Sequence, residues 1–161
     1  MNKKAIYPGS FDPFTNGHLD MVKKAARLFQ RVDILIGVNP SKSRAYSPEA
    51  MKLAIEKTLE AENITNCRVV ILNGLVAQYT IDNDIKYMIR GLRNNMDYNY
   101  EENIAEINKL INPDLEYIYF RAENVAVSSS MVKELNQYHQ NISKFVPKAV
   151  VEIMSGSVRN E

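Results

Sequence analysis

Four clusters of hydroxyl, imidazole, ammonium and guanidinium side chains punctuate this sequence. They are Ser10 with Thr15 and His18 after Pro8-Gly9, Lys42 with Arg44 close by, the segment Arg90-Gly91-Leu92-Arg93, and Ser128-Ser129-Ser130 behind Asn124. Donors of this kind, with a helix N-terminus behind them, suit phosphate groups. Taken singly, each cluster has an ordinary explanation. A loop Lys or Arg is usually solvated, a serine run usually caps a helix, a histidine at a helix start is usually structural, and Gly9 and Gly17 read as turn residues. A shared location for all four is much harder to explain that way. Other chemistries have little support. The chain has no GxxxxGK[ST] phosphate loop and no GxGxxG after its first strand. His18 and His139 are far apart and no His-Glu-x-x-His is present, which argues against a zinc hydrolase. Cys67 precedes an apolar run and reads as a core filler.

The elements that must position these clusters alternate between short β-rich runs and helical patterns. Ala5-Ile6-Tyr7 reads as a first strand ended by Pro8-Gly9. From Gly17 the apolar residues Val22, Ala25, Ala26 and Phe29 repeat at helical spacing. Val32 to Val38 is nearly all apolar and reads as a buried strand, stopped at Asn39-Pro40. Ser47-Pro48-Glu49 has the composition of an N-cap, a first-position proline and a first-turn acid, ahead of a face of Met51, Ala54, Ile55 and Leu59. Val69–Leu72 is predicted as a third strand, Leu75–Ile81 as a short helix and Ile85–Ile89 as a fourth strand. A longer helix from Asp97 carries Tyr100, Ile104, Ile107 and Ile111 and stops at Asn112-Pro113. Leu115–Phe120 is a fifth strand. A helix near Ser129 turns Val132 and Leu135 inward, and a last one follows Pro147. Parallel neighbours need crossovers, so the pattern predicts an α/β fold: a Rossmann-like, doubly wound, five-stranded parallel sheet covered on both faces. Ligands in such sheets bind beyond the carboxyl ends of the strands, and that is where all four clusters fall.

Composition bounds the rest. The 161 residues suit one domain, 1–161, with C-terminal helices from about 129 packed on it. Lys plus Arg is 20 and Asp plus Glu is 19, so the net charge of +1 disfavours a nucleic-acid-coating protein and leaves room for a local cationic pocket. One cysteine excludes an intramolecular disulfide and a Cys-built metal cluster. No apolar run reaches the roughly 18 residues of a membrane span, and the apolar stretch after Lys3-Lys4 stops too early for a signal peptide core. No membrane association is expected, and the expected compartment is the cytoplasm.

The segment Gly9-Ser10-Phe11-Asp12-Pro13-Phe14-Thr15-Asn16-Gly17-His18-Leu19-Asp20 resembles the GxFDPxTxGHxD signature of small nucleotidyltransferases, with Thr15 in place of the first His of the superfamily's HxGH motif. Val127-Ser128-Ser129-Ser130-Met131-Val132-Lys133 resembles the superfamily's second, ISSSxVK/R-type motif. Ala5 to His18, Pro40-Ser41-Lys42, Ile89 to Arg93, Asp97 with Tyr100-Glu101, and the serine run together are similar, in order, to the bacterial phosphopantetheine adenylyltransferase family. The resemblance implies transfer of the AMP part of ATP to 4′-phosphopantetheine, giving dephospho-coenzyme A and pyrophosphate. It also implies Mg²⁺, coenzyme A and dephospho-coenzyme A as product-like ligands, and a homohexamer. By position it implies that Ser10, His18, Lys42 and Arg93 are catalytic. Ser10, Phe11, His18, Gly91, Leu92, Arg93 and Glu101 would contact ATP, as would Asn124, Val125, Ala126, Val127, Ser128, Ser129 and Ser130. Ser10, Lys42, Val76 and Arg90 would contact the acceptor. No side chain is expected to ligate a metal. Asn124 and Ala126 stand where many members carry aromatic side chains.

The implied reaction suits the residue inventory. An anionic phosphate oxygen needs no general base; it needs two anions held together and charge neutralised in the transition state. Asp12 and Glu101 are the nearby acids, with turn-shaping an alternative role for Asp12. Gly17, lacking a Cβ, would let a phosphate approach the backbone beside His18. Another nucleotidyltransferase of the same fold, acting on a nicotinamide nucleotide or a phosphorylated alcohol, is the alternative. A non-catalytic nucleotide sensor and an RNA-binding module are less compatible with two intact signatures and a neutral chain.

Overall fold

A computed structural model describes residues 3–92, 105–122 and 128–158. Five strands form one all-parallel sheet in the order β3-β2-β1-β4-β5: β1 (Lys4–Gly9), β2 (Arg31–Gly37), β3 (Cys67–Leu72), β4 (Tyr87–Leu92) and β5 (Glu116–Arg121). The helices between them are α1 (Asn16–Leu28), α2 (Pro48–Ala61), α3 (Val76–Asp82) and α4, described over 105–111. After the sheet come α5 (Ser129–Gln137) and α6 (Lys148–Val158). Alternation along the central strands divides the core in two. Tyr7, Ile34 and Ile36 join Val22, Met51, Ile55, Val132, Val150 and Met154 under α1, α2, α5 and α6. Ile6 and Leu35 point the other way, into a smaller cluster with Ile85, Met88 and Leu115 next to α3.

The element types agree with the sequence reading, and the differences lie at boundaries. Strand β1 runs on through Pro8-Gly9 instead of ending there. Its ladder with β4 stops at Ile6↔Met88, so the proline lies where β1 and β4 part and its missing N–H leaves no rung broken on that side. Strand β4 begins at Tyr87, later than Ile85, and takes in Arg90, Gly91 and Leu92, which the sequence reading placed in the following loop. The cause is the stop signal of α3. Asp84 is left-handed (φ 52°), its N–H donates to the Ile81 carbonyl, and the Ile85 N–H donates to the Thr80 carbonyl. Buried Ile85 thus closes a Schellman motif before the strand starts. Asn63 closes α2 in the same way, and His139 closes α5. None of the three is a glycine, so the usual stop signal was missing. Phe29 lies one residue beyond α1, as its C-cap, and Ala26 is half-buried. Ile107, one of the apolar residues carried by the helix expected from Asp97, is exposed, while Ala105 is buried. The start of the helix from Asp97, with Tyr100 and Ile104, lies outside the described residues.

The strand order fixes where a ligand can sit. The chain winds β1, β2, β3 to one side, then crosses to the other side of β1 for β4 and β5. The switch point is therefore the gap between the carboxyl ends of β1 and β4. No helix among the described residues is long and apolar enough to cross a membrane.

Candidate functional site

The first signature forms the turn between β1 and α1. Gly9 is required by its neighbour: a Cβ there would stand 2.9 Å from the Phe11 ring. Phe11 has φ 46°, a left-handed conformation costly for a bulky residue, and its ring is buried. That ring meets Tyr7 at 5.4 Å, Phe14 at 5.5 Å and His18 at 5.0 Å, the last edge to face at 89°. Phe14 also lies against the imidazole, at 5.6 Å. The aromatic rings thus orient His18.

Hydrogen bonds complete its placement. Thr15 is the N-cap of α1; its Oγ1 accepts the His18 N–H at 3.3 Å, and its own N–H donates to His18 Nδ1 at 3.0 Å. This is a capping box in which histidine takes the place of the usual Glu or Gln. Because Nδ1 accepts a backbone N–H, the neutral ring carries its hydrogen on Nε2. His18 is therefore set to donate from the first turn of a helix. A Cβ on Gly17 would meet only Thr15 Oγ1, at an ordinary 3.5 Å, so no packing within the protein demands a glycine there.

Across the switch point stands Arg90. Its Nη1 donates to the Pro8 carbonyl at 2.6 Å, beyond the last β1–β4 pair. Burial pushes the Tyr7 phenol far above its ordinary range, with the Arg90 charge opposing, so Tyr7 stays neutral. Lys42 is exposed in the loop between β2 and α2, its N–H donating to the Asn39 carbonyl. Ser10 is exposed beside Phe11. Val76 opens α3 and packs partly against the smaller core, giving it a structural role. Gly91 lies in β4 where a Cβ would come within 3.2 Å of Met21 Sδ, so the glycine lets α1 approach the sheet. Leu92 ends β4, partly buried.

Of the three serines, one caps its own helix and one ties the signatures together. Ser128 caps α5, accepting the Met131 N–H. Ser129 Oγ donates to the Pro13 carbonyl at 2.8 Å, joining α5 to the first signature's turn. Ser130 is exposed and lines a groove of about 500 Å³ with Ser43, Arg44, Ala45, Lys133, Glu134, Gln137 and Tyr138. Arg93, Glu101, Asn124, Val125, Ala126 and Val127 lie outside the described residues.

The sequence reading undervalued Asp12, which is buried at the centre of this region. Its Oδ2 accepts the Ala45 N–H and its Oδ1 the Tyr46 N–H, both at 2.9 Å. Lys133 Nζ lies 3.6 Å away and Arg44 Nη2 4.0 Å. These partners are backbone groups and a helix lysine distant in sequence, so adjacent residue types carry no trace of them. Asp12 is followed by a cis peptide to Pro13.

A parallel sheet with Ser10, His18 and Arg90 about its switch point has the layout of a site for phosphate groups, and among the described residues the nearby acid, Asp12, is taken up by backbone N–H groups. Residues 6–135 match the sequence model of the cytidylyltransferase-like family. A crystal structure from Vibrio parahaemolyticus, of a protein described as a nicotinate-nucleotide adenylyltransferase, superposes with TM-score 0.72, covering 97% of this chain and 93% of that one. At 14% identity it shows the fold alone. A phosphopantetheine adenylyltransferase of Leuconostoc mesenteroides subsp. mesenteroides is 41% identical, over 93% of each chain. One of Leuconostoc citreum is 40% identical over 93% of this chain and 95% of its own. One of Cytophaga hutchinsonii is 38% identical over 91% and 98%. At such identity and coverage the chain belongs, within the cytidylyltransferase-like class, to the phosphopantetheine adenylyltransferase family.

Proposed function

We infer that the protein transfers the adenylyl group of ATP to 4′-phosphopantetheine, releasing pyrophosphate and forming dephospho-coenzyme A. The kinship with relatives of that name carries the acceptor's identity. The observation that carries the chemistry is the His18 capping box at the switch point. It supports an imidazole that donates through Nε2 rather than one that accepts a proton.

A phosphate oxygen of the acceptor attacks the α-phosphorus of ATP. The P–O bond to the β-phosphate breaks as the new one forms, and pyrophosphate leaves with its electrons. The nucleophile is already anionic, so no proton is abstracted. Arg90 and Lys42 hold the acceptor phosphate, with Ser10 between the two substrates. His18 stabilises charge on the α-phosphate, with the Gly17 N–H and the positive end of α1 behind it. Val76 borders the pantetheine arm.

Mg²⁺, expected from the resemblance, does not fit a protein-held site among the described residues. No group of three possible metal ligands occurs there, and both Asp12 oxygens are occupied. The ion fits better as a companion of the triphosphate. A homohexamer belongs to the same reading; Leu75, Ile81, Ile107 and Leu110, exposed on or beside α3 and α4, support self-association, and light scattering tests for six copies. A cytoplasmic location, and coenzyme A as a product-like ligand, belong to the same reading.

The deciding experiment measures pyrophosphate release from ATP and Mg²⁺ with a panel of acceptors. Phosphopantetheine is expected to exceed nicotinamide mononucleotide and glycerol phosphate in kcat/KM by at least about 10², the scale of several missed contacts. Comparable rates with nicotinamide mononucleotide would overturn the acceptor assignment.

A further inference from the structure

The loop that presents Lys42 is held by very little of itself. At its start, the Ser41 N–H and hydroxyl bond to Asn39 Oδ1, and the Lys42 N–H bonds to the Asn39 carbonyl. These bonds close a turn on itself without attaching it to the body. The attachment comes just afterwards, where Asp12 accepts the N–H groups of Ala45 and Tyr46. Arg44 clamps the same stretch from outside. Its guanidinium donates to the Ser10 carbonyl at 2.7 Å, the Phe11 carbonyl at 3.5 Å and the Tyr46 carbonyl at 3.1 Å. One buried carboxylate and one arginine thus join the turn bearing Ser10 and Phe11 to the loop bearing Lys42.

We propose that Asp12, with Arg44, is the positioning residue of the acceptor site: it fixes the Lys42 loop against the Ser10 turn so that the acceptor phosphate meets preset partners. The proposal rests on the reading of Lys42 as an acceptor-phosphate ligand. Asp12 is poorly suited to proton transfer, since both its oxygens already accept backbone hydrogens in a buried setting. Helix α5 also reaches Asp12, through Lys133 Nζ at 3.6 Å, but without the carboxylate it keeps buried Val132, the Ser128 cap and the bond from Ser129 to Pro13. Loss of Asp12 therefore loosens the acceptor side and spares the nucleotide side. Ordering a loosened loop would then fall on acceptor binding.

The test compares wild type with Asp12→Asn and Arg44→Ala. An Asn side chain keeps one oxygen and presents an NH₂ to the other backbone N–H. Initial rates with each substrate varied in turn should show the phosphopantetheine KM rising at least tenfold, with the ATP KM within threefold. The pH profile of kcat should keep its shape. Amide hydrogen exchange at Ala45 and Tyr46 should accelerate at least tenfold in the unliganded Asn variant. An equal rise in both KM values would mean general support of the fold, and an unchanged acceptor KM would mean no role; either overturns the proposal. If Asp12→Asn does not fold, Arg44→Ala faces the same criteria. Should wild type turn over no phosphopantetheine, the functional reading fails by itself. The clamp is then judged by amide exchange, and unchanged protection at Ala45 and Tyr46 defeats it.

Discussion

Among the described residues two aspartates are buried, in unlike company. Asp33 lies near the start of β2, fully enclosed. It takes paired bonds from Arg68 at 2.8 and 3.1 Å, from Arg31 at 3.0 and 3.2 Å, and a bond from the Tyr79 hydroxyl at 2.8 Å. All its partners are side chains of regular elements. Asp12 sits beyond the other end of the sheet, and its closest partners are backbone groups of a loop. Both carboxylates offset the cost of burial, but they organise different things. Asp33 pins a helix to strands that already have a ladder, whereas Asp12 gives a fixed address to a segment that has none. One contributes to how firmly the fold holds, the other to what the fold presents.

The sharpest way to break that contrast is His18→Ala. If the carboxyl end of the sheet is built for presentation, this variant should lose roughly 10² or more in kcat, the scale for one preorganised donor. Its thermal midpoint should fall only slightly. Near-normal turnover in the folded variant would remove the histidine from the chemistry. At the Asp33 end the pattern should reverse. Asp33→Asn breaks the arrangement with Arg68, Arg31 and Tyr79, but both arginines reach water, so the cost should be about 2–3 kcal/mol, below the usual range for splitting a buried pair. Denaturant unfolding measures it, and kcat should stay within about twofold because no site residue is touched. A variant as stable as wild type but catalytically impaired would invert the comparison.

Acid sharpens the same point. Burial alone would raise the Asp33 carboxyl, but bonds from Arg68 and Tyr79, the Arg68 charge and the bond from Arg31 together bring it below its ordinary value. A depressed folded value means stability present above the unfolded value of about 4 and lost as pH falls through the folded one. The stability gap between wild type and Asp33→Asn should be constant from about pH 6 to 8 and should shrink below about pH 4. A gap that widens on acidification would mean the sign is wrong. The smallest effect is expected for Thr15→Ala, about 1 kcal/mol from losing a cap side chain. The Thr15 N–H would still hold Nδ1, so kcat should fall by less than tenfold. A loss as large as that of His18→Ala would show that the hydroxyl, rather than the backbone, orients the imidazole.

Much of this was legible in the sequence because the signals are local. Alternating apolar runs set the strand number, and Ser47-Pro48 marked the start of α2 where it is observed. The first signature is contiguous, so its loop and helix start could be placed at once. Three helix ends were harder, because Asn63, Asp84 and His139 supply the left-handed residue where a glycine would have been read. Ile85 is apolar for the sake of a helix stop, and that drew the predicted strand too early. Arg44 was legible only as a cationic neighbour of Lys42 and Lys133 only as the end of the second motif; their contacts with the turn bearing Ser10 and Asp12 were not, since charge on a loop or helix usually means solvent. The bonds of Asp12 link it to residues whose side chains play no part in them.

The short ladder between β1 and β4 has a mechanical consequence. Strands β1 and β2 pair at six positions in register, as do β4 and β5, but β1 and β4 pair only at Ala5↔Tyr87 and Ile6↔Met88. The sheet is two stiff leaves joined along a short spine, and beyond the spine Arg90 spans the gap to Pro8 with a side chain instead of a rung. A molecule gripped from both leaves therefore acts as a staple across the open edge. Binding then registers as resistance to prying the leaves apart, over and above any local contact it makes.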